Sequence, residues 1–173
     1  MNAGYVSIRN MEHTDYEIMG KWLSTKEVLE FYGDMNSPFT LEEVKRKYAP
    51  RVNGDIPVHP YIVELNSAPV GFMQRYKIDE DEKKEFGYAS KLCVYGIDQF
   101  IGIPDLFNKG LGTIMVSKFI AYIRLHTDVD IIILDPDVSN MRAIKCYEKC
   151  GFKKVRKINK GLNWLMEWTN GRG

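Results

Sequence analysis

Hydrophobic and polar residues alternate through Tyr5, Val6, Ser7, Ile8 and Arg9, a two-residue period that predicts an opening strand. The period then lengthens. Thr14 or Asp15 can cap a helix to about Leu23, and Ser24 or Thr25, with Glu27 close behind, can cap a short second one ending near Gly33. Ser37-Pro38 breaks the chain. Thr40 and Glu43 have capping-box spacing and open a third helix to about Tyr48. Residues 50–60, with Gly54 and Pro57, read as a loop. Residues 61–65 and 70–76 read as paired strands around a turn at 66–69. Residues 79–85 read as a charged loop, and 91–100, rich in Val, Tyr, Ile and Phe, as a strand.

Beyond a loop at 102–109 the pattern turns helical. Leu111, Ile114, Met115, Phe119, Tyr122 and Ile123 recur at three- and four-residue steps within 110–126. Residues 130–134 form a short apolar strand of the kind covered on both faces. Ser139 or Asn140 caps a helix to Cys150, and Gly151 sits where a helix end wants φ > 0. Residues 152–158 and 162–168 close the fold around a turn at 159–161, and 171–173 read as a frayed end. Hairpins and crossovers are mixed, which predicts an α/β or α+β domain with a mixed sheet. With no repeat or low-complexity linker, residues 1–170 read as one domain.

Composition narrows the function. The 173 residues carry 24 basic and 23 acidic side chains, a net charge of +1, without the excess that nucleic-acid binders usually carry. Cys93, Cys146 and Cys150 cannot all pair with one another and read as free, mostly buried thiols in a reducing compartment. A zinc site would need two more ligands, and His13, His59 and His126 are scattered, so no metal is expected. The first ten residues lack an apolar segment, and no stretch approaches the roughly 20 apolar residues of a membrane span. A cytoplasmic protein without membrane partners is expected.

The sharpest motif is Asn108-Lys109-Gly110-Leu111-Gly112-Thr113, after a strand and at the head of the long helix. Glycines at a helix N-terminus let backbone N–H groups approach an anion, helped by the helix dipole. The Lys–Ser/Thr pair of a Walker loop is missing, as is the G-x-G-x-x-G run of a dinucleotide fingerprint. With the stretches 131–134 and 135–140 and the segment SNMRAIKCYEKCGF at 139–152, the motif resembles the GNAT superfamily of acyl-CoA-dependent N-acyltransferases. Phe107 departs from the usual Gln or Arg of that family. Residues 94–113, 133–152 and 21–34 are similar to aminoglycoside 6'-N-acetyltransferases, and the likeness is weakest between 78 and 91.

The resemblance implies a mixed, mostly antiparallel twisted sheet flanked by helices and splayed to admit acetyl-CoA. It implies that Gly110, Gly112 and Thr113, with Asn108, Lys109 and Leu111, hold the pyrophosphate. Backbone groups of Gln99, Phe100 and Ile101 would hold the acyl carbonyl, with Asn140, Ala143, Tyr147 and Lys149 also on the coenzyme side. Acetyl transfer to an amine needs a neutral nucleophile, a donor for the developing oxyanion and a proton for the leaving thiolate. Asp98 lies in an otherwise apolar strand, where a carboxylate needs a reason. The family makes it the base or amine anchor; the alternative is a structural Asp at a strand bulge. Tyr147 shares a helix face with Asn140, seven residues earlier, and a phenol suits protonation of a thiolate. The alternative is a packing Tyr.

Eight basic residues against one acid in 142–160 could attract the coenzyme's 3'-phosphate or form a solvated face. On the substrate side, Asp79 and Asp81 of the acidic run, with Asp98 and Asp135, could attract a polycation, whereas the run alone reads as an ordinary solvated loop. Phe31 and Tyr32 stand where the family has aromatic walls, and Tyr48 and Tyr95 could add faces for sugar rings. Trp22 reads as core. The expected reaction is acetylation of an aminoglycoside 6'-amine by a monomer or homodimer. The alternatives are another amine, such as a siderophore hydroxylysine, a polyamine or a peptide, or a coenzyme-binding module without turnover. No His lies between Val94 and Gly112, which disfavours the siderophore type.

Overall fold

The computed structural model describes residues 4–171, so the expectation for the C-terminal end falls, apart from Gly171, outside the described residues. The strands are β1 (Val6–Asn10), β2 (Val58–Leu65), β3 (Ala68–Lys77), β4 (Val94–Ile101), β5 (Ile131–Leu134), β6 (Lys153–Ile158) and β7 (Asn163–Thr169). They form a sheet in the order β1-β2-β3-β4-β5-β7-β6. β4 and β5 run parallel, whereas β1–β2, β5–β7 and β6–β7 are antiparallel. The helices are α1 (Tyr16–Trp22), α2 (Lys26–Leu29), α3 (Leu41–Val52), α4 (Glu80–Phe86), α5 (Leu111–His126) and α6 (Met141–Lys149). The mixed α/β class with a mostly antiparallel sheet is as expected. Among the described residues, no helix is long and apolar enough to cross a membrane.

Contacts divide the chain into two compact units. The first holds residues up to Gln74 together with Gln99–Gly112. Its core is aromatic: Phe72 stacks on Phe100 at 5.4 Å, Tyr48 meets Phe72 edge-on at 5.4 Å, and Trp22 meets Phe100 edge-on at 6.0 Å. Trp22 is core, as its helical phase predicts. Gly102 is required beside it, because a methyl there would come within 2.3 Å of the indole. The second unit holds Arg75–Asp98 and the chain from Thr113 onward. Its apolar centre includes Ile78, Val94, Ile133 and Leu165.

Two loops expected from the sequence are helical. α3 continues through Pro50 to Val52, so the loop shrinks. Proline is usually a stop because it lacks an N–H, but here it falls in the last turn, and its carbonyl accepts from Asp55 N–H at 2.8 Å. Residues 80–86 form α4, because Asp79 and Glu82 complete a capping box that outweighs the run of like charges. Lys83 then folds inward, donating to Glu80 Oε1 and the Ser90 carbonyl, both at 2.9 Å. The helix expected to end near Gly33 is only one turn long.

Arg9 ties the first strand to the first helix. Its Nη1 and Nη2 donate to the two oxygens of Asp15, each at 2.8 Å, and its Nε donates to Glu64. Asp15 is buried, which pushes its carboxyl up, but Arg9 and the Glu12 amide outweigh burial and hold it below the ordinary range. A lowered carboxylate stabilises the fold at neutral pH, and that contribution is lost as pH falls through the lowered value. Arg9 is about one-third exposed, which screens the pair. Asp15→Asn is therefore expected to cost about 2 kcal/mol in urea unfolding at pH 7. The cost should shrink toward zero in acid, where the native Asp15 is protonated too; an equal cost at all pH values would contradict the assignment.

Candidate active site

In the second unit, strand register places two carboxylates together. The parallel pairing runs Val94↔Ile131, Tyr95↔Ile132, Gly96↔Ile133. Two residues beyond the last of these pairs come Asp98, midway along β4, and Asp135, one residue past the end of β5. Desolvation, then repulsion from Asp98, pushes Asp135 up to about 6. Much of the Asp135 residue still reaches solvent, so the pair can be approached from outside. Its backbone is pinned by Asn163 Nδ2 donating to its carbonyl at 2.8 Å, while Asp137 accepts from the Ser139 amide and hydroxyl.

Tyr76 completes the cluster. The sequence pattern did not single it out. A methyl on Gly96 would lie 2.3 Å from the Tyr76 ring, so the glycine in β4 makes the space for that ring. Burial, then the charges of Asp98, Asp135 and Glu82, raises the Tyr76 phenol well above its usual range. It therefore stays a neutral donor among acids. Tyr76, Glu82 and Asp135 line a cavity of about 110 Å³ whose floor is Ile133, Leu134 and Leu165. Of the acidic run, Glu82 reaches this cavity, whereas Asp79 is spent as the α4 cap and Asp81 is exposed. Tyr95 is half-buried, with the Arg75 guanidinium 5.5 Å from its ring centre.

On α6, the Asn140 side chain accepts from the Ala143 amide at 3.2 Å and so caps the helix. Tyr147 packs edge-on against Phe152 at 6.1 Å. Lys149 is exposed in the last turn. The basic stretch continues on β6, where Lys154 and Lys157 lie 5.0 and 5.4 Å from the Trp164 ring centre.

The first unit carries Gln99, Phe100 and Ile101 at the end of β4. It also carries the glycine motif as far as Gly112. Asn108 and Gly110 have positive φ of 59° and 84°. α5 then starts at Leu111, so the amides of Gly110, Leu111, Gly112 and Thr113 fall among the donors a helix start leaves unpaired. Nothing lies within 4 Å of a methyl placed on Gly110, so an anion can approach that backbone. Phe107 packs on the aromatic core. Phe31 is exposed and Tyr32 packs on Phe100 at 4.6 Å. Tyr48, expected to offer a ring face to sugar, is instead fully buried against Phe72. Among the described residues, no group of three or more His, Cys, Asp or Glu is placed to hold a metal.

Comparison with known proteins gives the family. Residues 12–160 match the family described as acetyltransferase (GNAT) domain. The chain is 34% identical to the aminoglycoside N(6')-acetyltransferase type 1 of Klebsiella pneumoniae over 86% of its own length and 74% of that relative. In structure it is similar to AAC(6')-Ib in complex with ribostamycin and coenzyme A, with a TM-score of 0.81 at 30% identity over 97% of this chain and 98% of that one. It is also similar to aminoglycoside acetyltransferase AAC(6')-Ib in complex with coenzyme A and kanamycin, with a TM-score of 0.80 at 30% identity over 96% and 95% of the two chains. With the match spanning both the glycine motif and the carboxylate strands, the chain belongs to the GNAT family of acetyltransferases.

Proposed function

We propose that this acetyltransferase moves the acetyl group of acetyl-CoA to the 6'-amine of an aminoglycoside. The observation that carries the reading is that two interacting carboxylates, Asp98 and Asp135, lie beside the neutral phenol of Tyr76, a set of acceptors suited to the ammonium groups of a polyamine. The relatives crystallised with ribostamycin or kanamycin support that substrate class.

Acetyl-CoA supplies an activated acyl group and a thiolate that must leave. The amides at the start of α5 hold its diphosphate, and backbone groups of Gln99, Phe100 and Ile101 hold the acyl oxygen. Phe107 adds no side-chain donor, so the backbone carries the phosphate contacts. Asp98 anchors the incoming ammonium, orients it and takes its proton as attack proceeds, directly or through water. Tyr147 returns a proton to the departing sulfur. Asp135 and Tyr95 hold the rest of the sugar, with Phe31 and Tyr32 as aromatic walls. Asp79 and Asp81 add only long-range attraction.

The direct test incubates the pure protein with acetyl-CoA and kanamycin and follows release of free thiol. Turnover is expected; none across several drugs bearing a 6'-amine would overturn the reading. Asp98→Asn should lower kcat by about 100-fold while leaving coenzyme A affinity unchanged. Equal losses in both would mean that Asp98 serves the fold instead.

The pH dependence has a defined sign. A polycation favours ionised Asp135, so binding releases a proton wherever Asp135 is protonated in the free enzyme. Kanamycin affinity should therefore fall as pH drops through about 6, a range where the drug's own amines stay charged. Asp135→Asn should bind more weakly at pH 7 and show no such step. Titration calorimetry at pH 5 to 7 reads both; an unchanged step in the variant would assign it elsewhere.

A further inference from the structure

Cys146 and Cys150 are four residues apart at the end of α6, a spacing that puts Cβ atoms on one helix face about 5–6 Å apart. Both sulfurs converge on one residue of α5. Thr113 Oγ1 donates to Cys146 Sγ at 3.7 Å, and Cys150 Sγ donates to the Thr113 carbonyl at 3.6 Å. Ser117 Oγ lies 3.5 Å from Cys150 Sγ. Both are half-buried, so neither packed away nor free of the fold. Cys150 is the last capping residue and precedes Gly151 at φ 97°, so its backbone is not locked in mid-helix.

The three cysteines differ in chemistry. The neighbouring Cys146 thiol holds the Cys150 thiol below its usual range, with Ser117 adding to the effect. Burial pushes the Cys93 thiol up. Cys150 is thus the better nucleophile, with a second sulfur within bonding range of whatever it captures.

We propose that Cys146 and Cys150 form a dithiol site for trivalent arsenic, built from side chains that have no part in the proposed acetyl transfer. Two sulfurs on adjacent helical turns suit a soft centre with two exchangeable positions, whereas zinc wants four ligands. With a monosubstituted arsenic oxide, Cys150 attacks arsenic first and Cys146 follows. Two As–S bonds form and the As–O bonding is lost. The oxygen leaves as water carrying both thiol protons, and arsenic stays trivalent, so no oxidant is needed.

The test adds phenylarsine oxide to the folded full-length protein and reads intact mass. One adduct is expected that resists excess 2-mercaptoethanol and is removed by 2,3-dimercaptopropanol. The chelate link should make retention about 100-fold weaker in Cys146→Ser and in Cys150→Ser, and unchanged in Cys93→Ser. Alkylation mapping of the native protein, which needs no variant, should show Cys146 and Cys150 protected by the arsenical and Cys93 unaffected. No monothiol-resistant adduct, or protection that includes Cys93, would overturn the proposal.

Discussion

Burial of the Asp135 carboxylate within the field of a second one, Asp98, is the constraint around which the site is built. β4 and β5 pair in parallel as far as Gly96↔Ile133, Asp98 and Asp135 each follow two residues later, and partial burial keeps water from screening them fully. Two interacting carboxylates favour the uptake of a proton or a cation. Tyr76, held neutral by burial and by the same charges, supplies a donor but no charge. Under the proposed function, a polycationic amine is attracted to both carboxylates and presents its nucleophile to Asp98. Binding and chemistry therefore draw on one electrostatic feature.

The scaffold fixes that feature by ordinary packing. Val94, Gly96 and Ile97 are buried, so β4 cannot slip by a residue without turning its apolar positions outward. Gly96 admits the Tyr76 ring on one unit's part of the strand, and Gly102 admits Trp22 on the other's. In each case the missing side chain is what lets an aromatic ring lie against the backbone. Asn163 and Ser139 then tie down the chain around Asp135, so the carboxylate that must stay near its twin is not on a floppy loop.

Much of this was legible in the sequence, and the rest failed for physical reasons. Asp98 announced itself as a charge in an apolar strand, and Asn140 as a cap ahead of a helical pattern. The glycine motif was readable because helix starts and anion sites share the same backbone needs. Net charge misled, since a sum of +1 hides eight basic residues in 142–160 and the acidic cluster elsewhere. α4 was missed because a run of like charges looked like a loop, although Asp79 and Glu82 already had capping-box spacing. Tyr76 was invisible, because its role depends on the space at Gly96, twenty residues away, and on two strands lying parallel. Tyr48 sat among plausible ring faces, but its phase on α3 turns it into the core. The cysteines, read as mostly buried, are half-buried.

The account stands or falls on where the reacting nitrogen lies. A crystal structure of the complex with coenzyme A and kanamycin places it directly. The account predicts the 6'-nitrogen within about 2.6–3.2 Å of an Asp98 oxygen, or one bridging water away, with another ammonium of the drug against Asp135. A 6'-nitrogen outside that reach, with Asp98 facing no part of the drug, would contradict it.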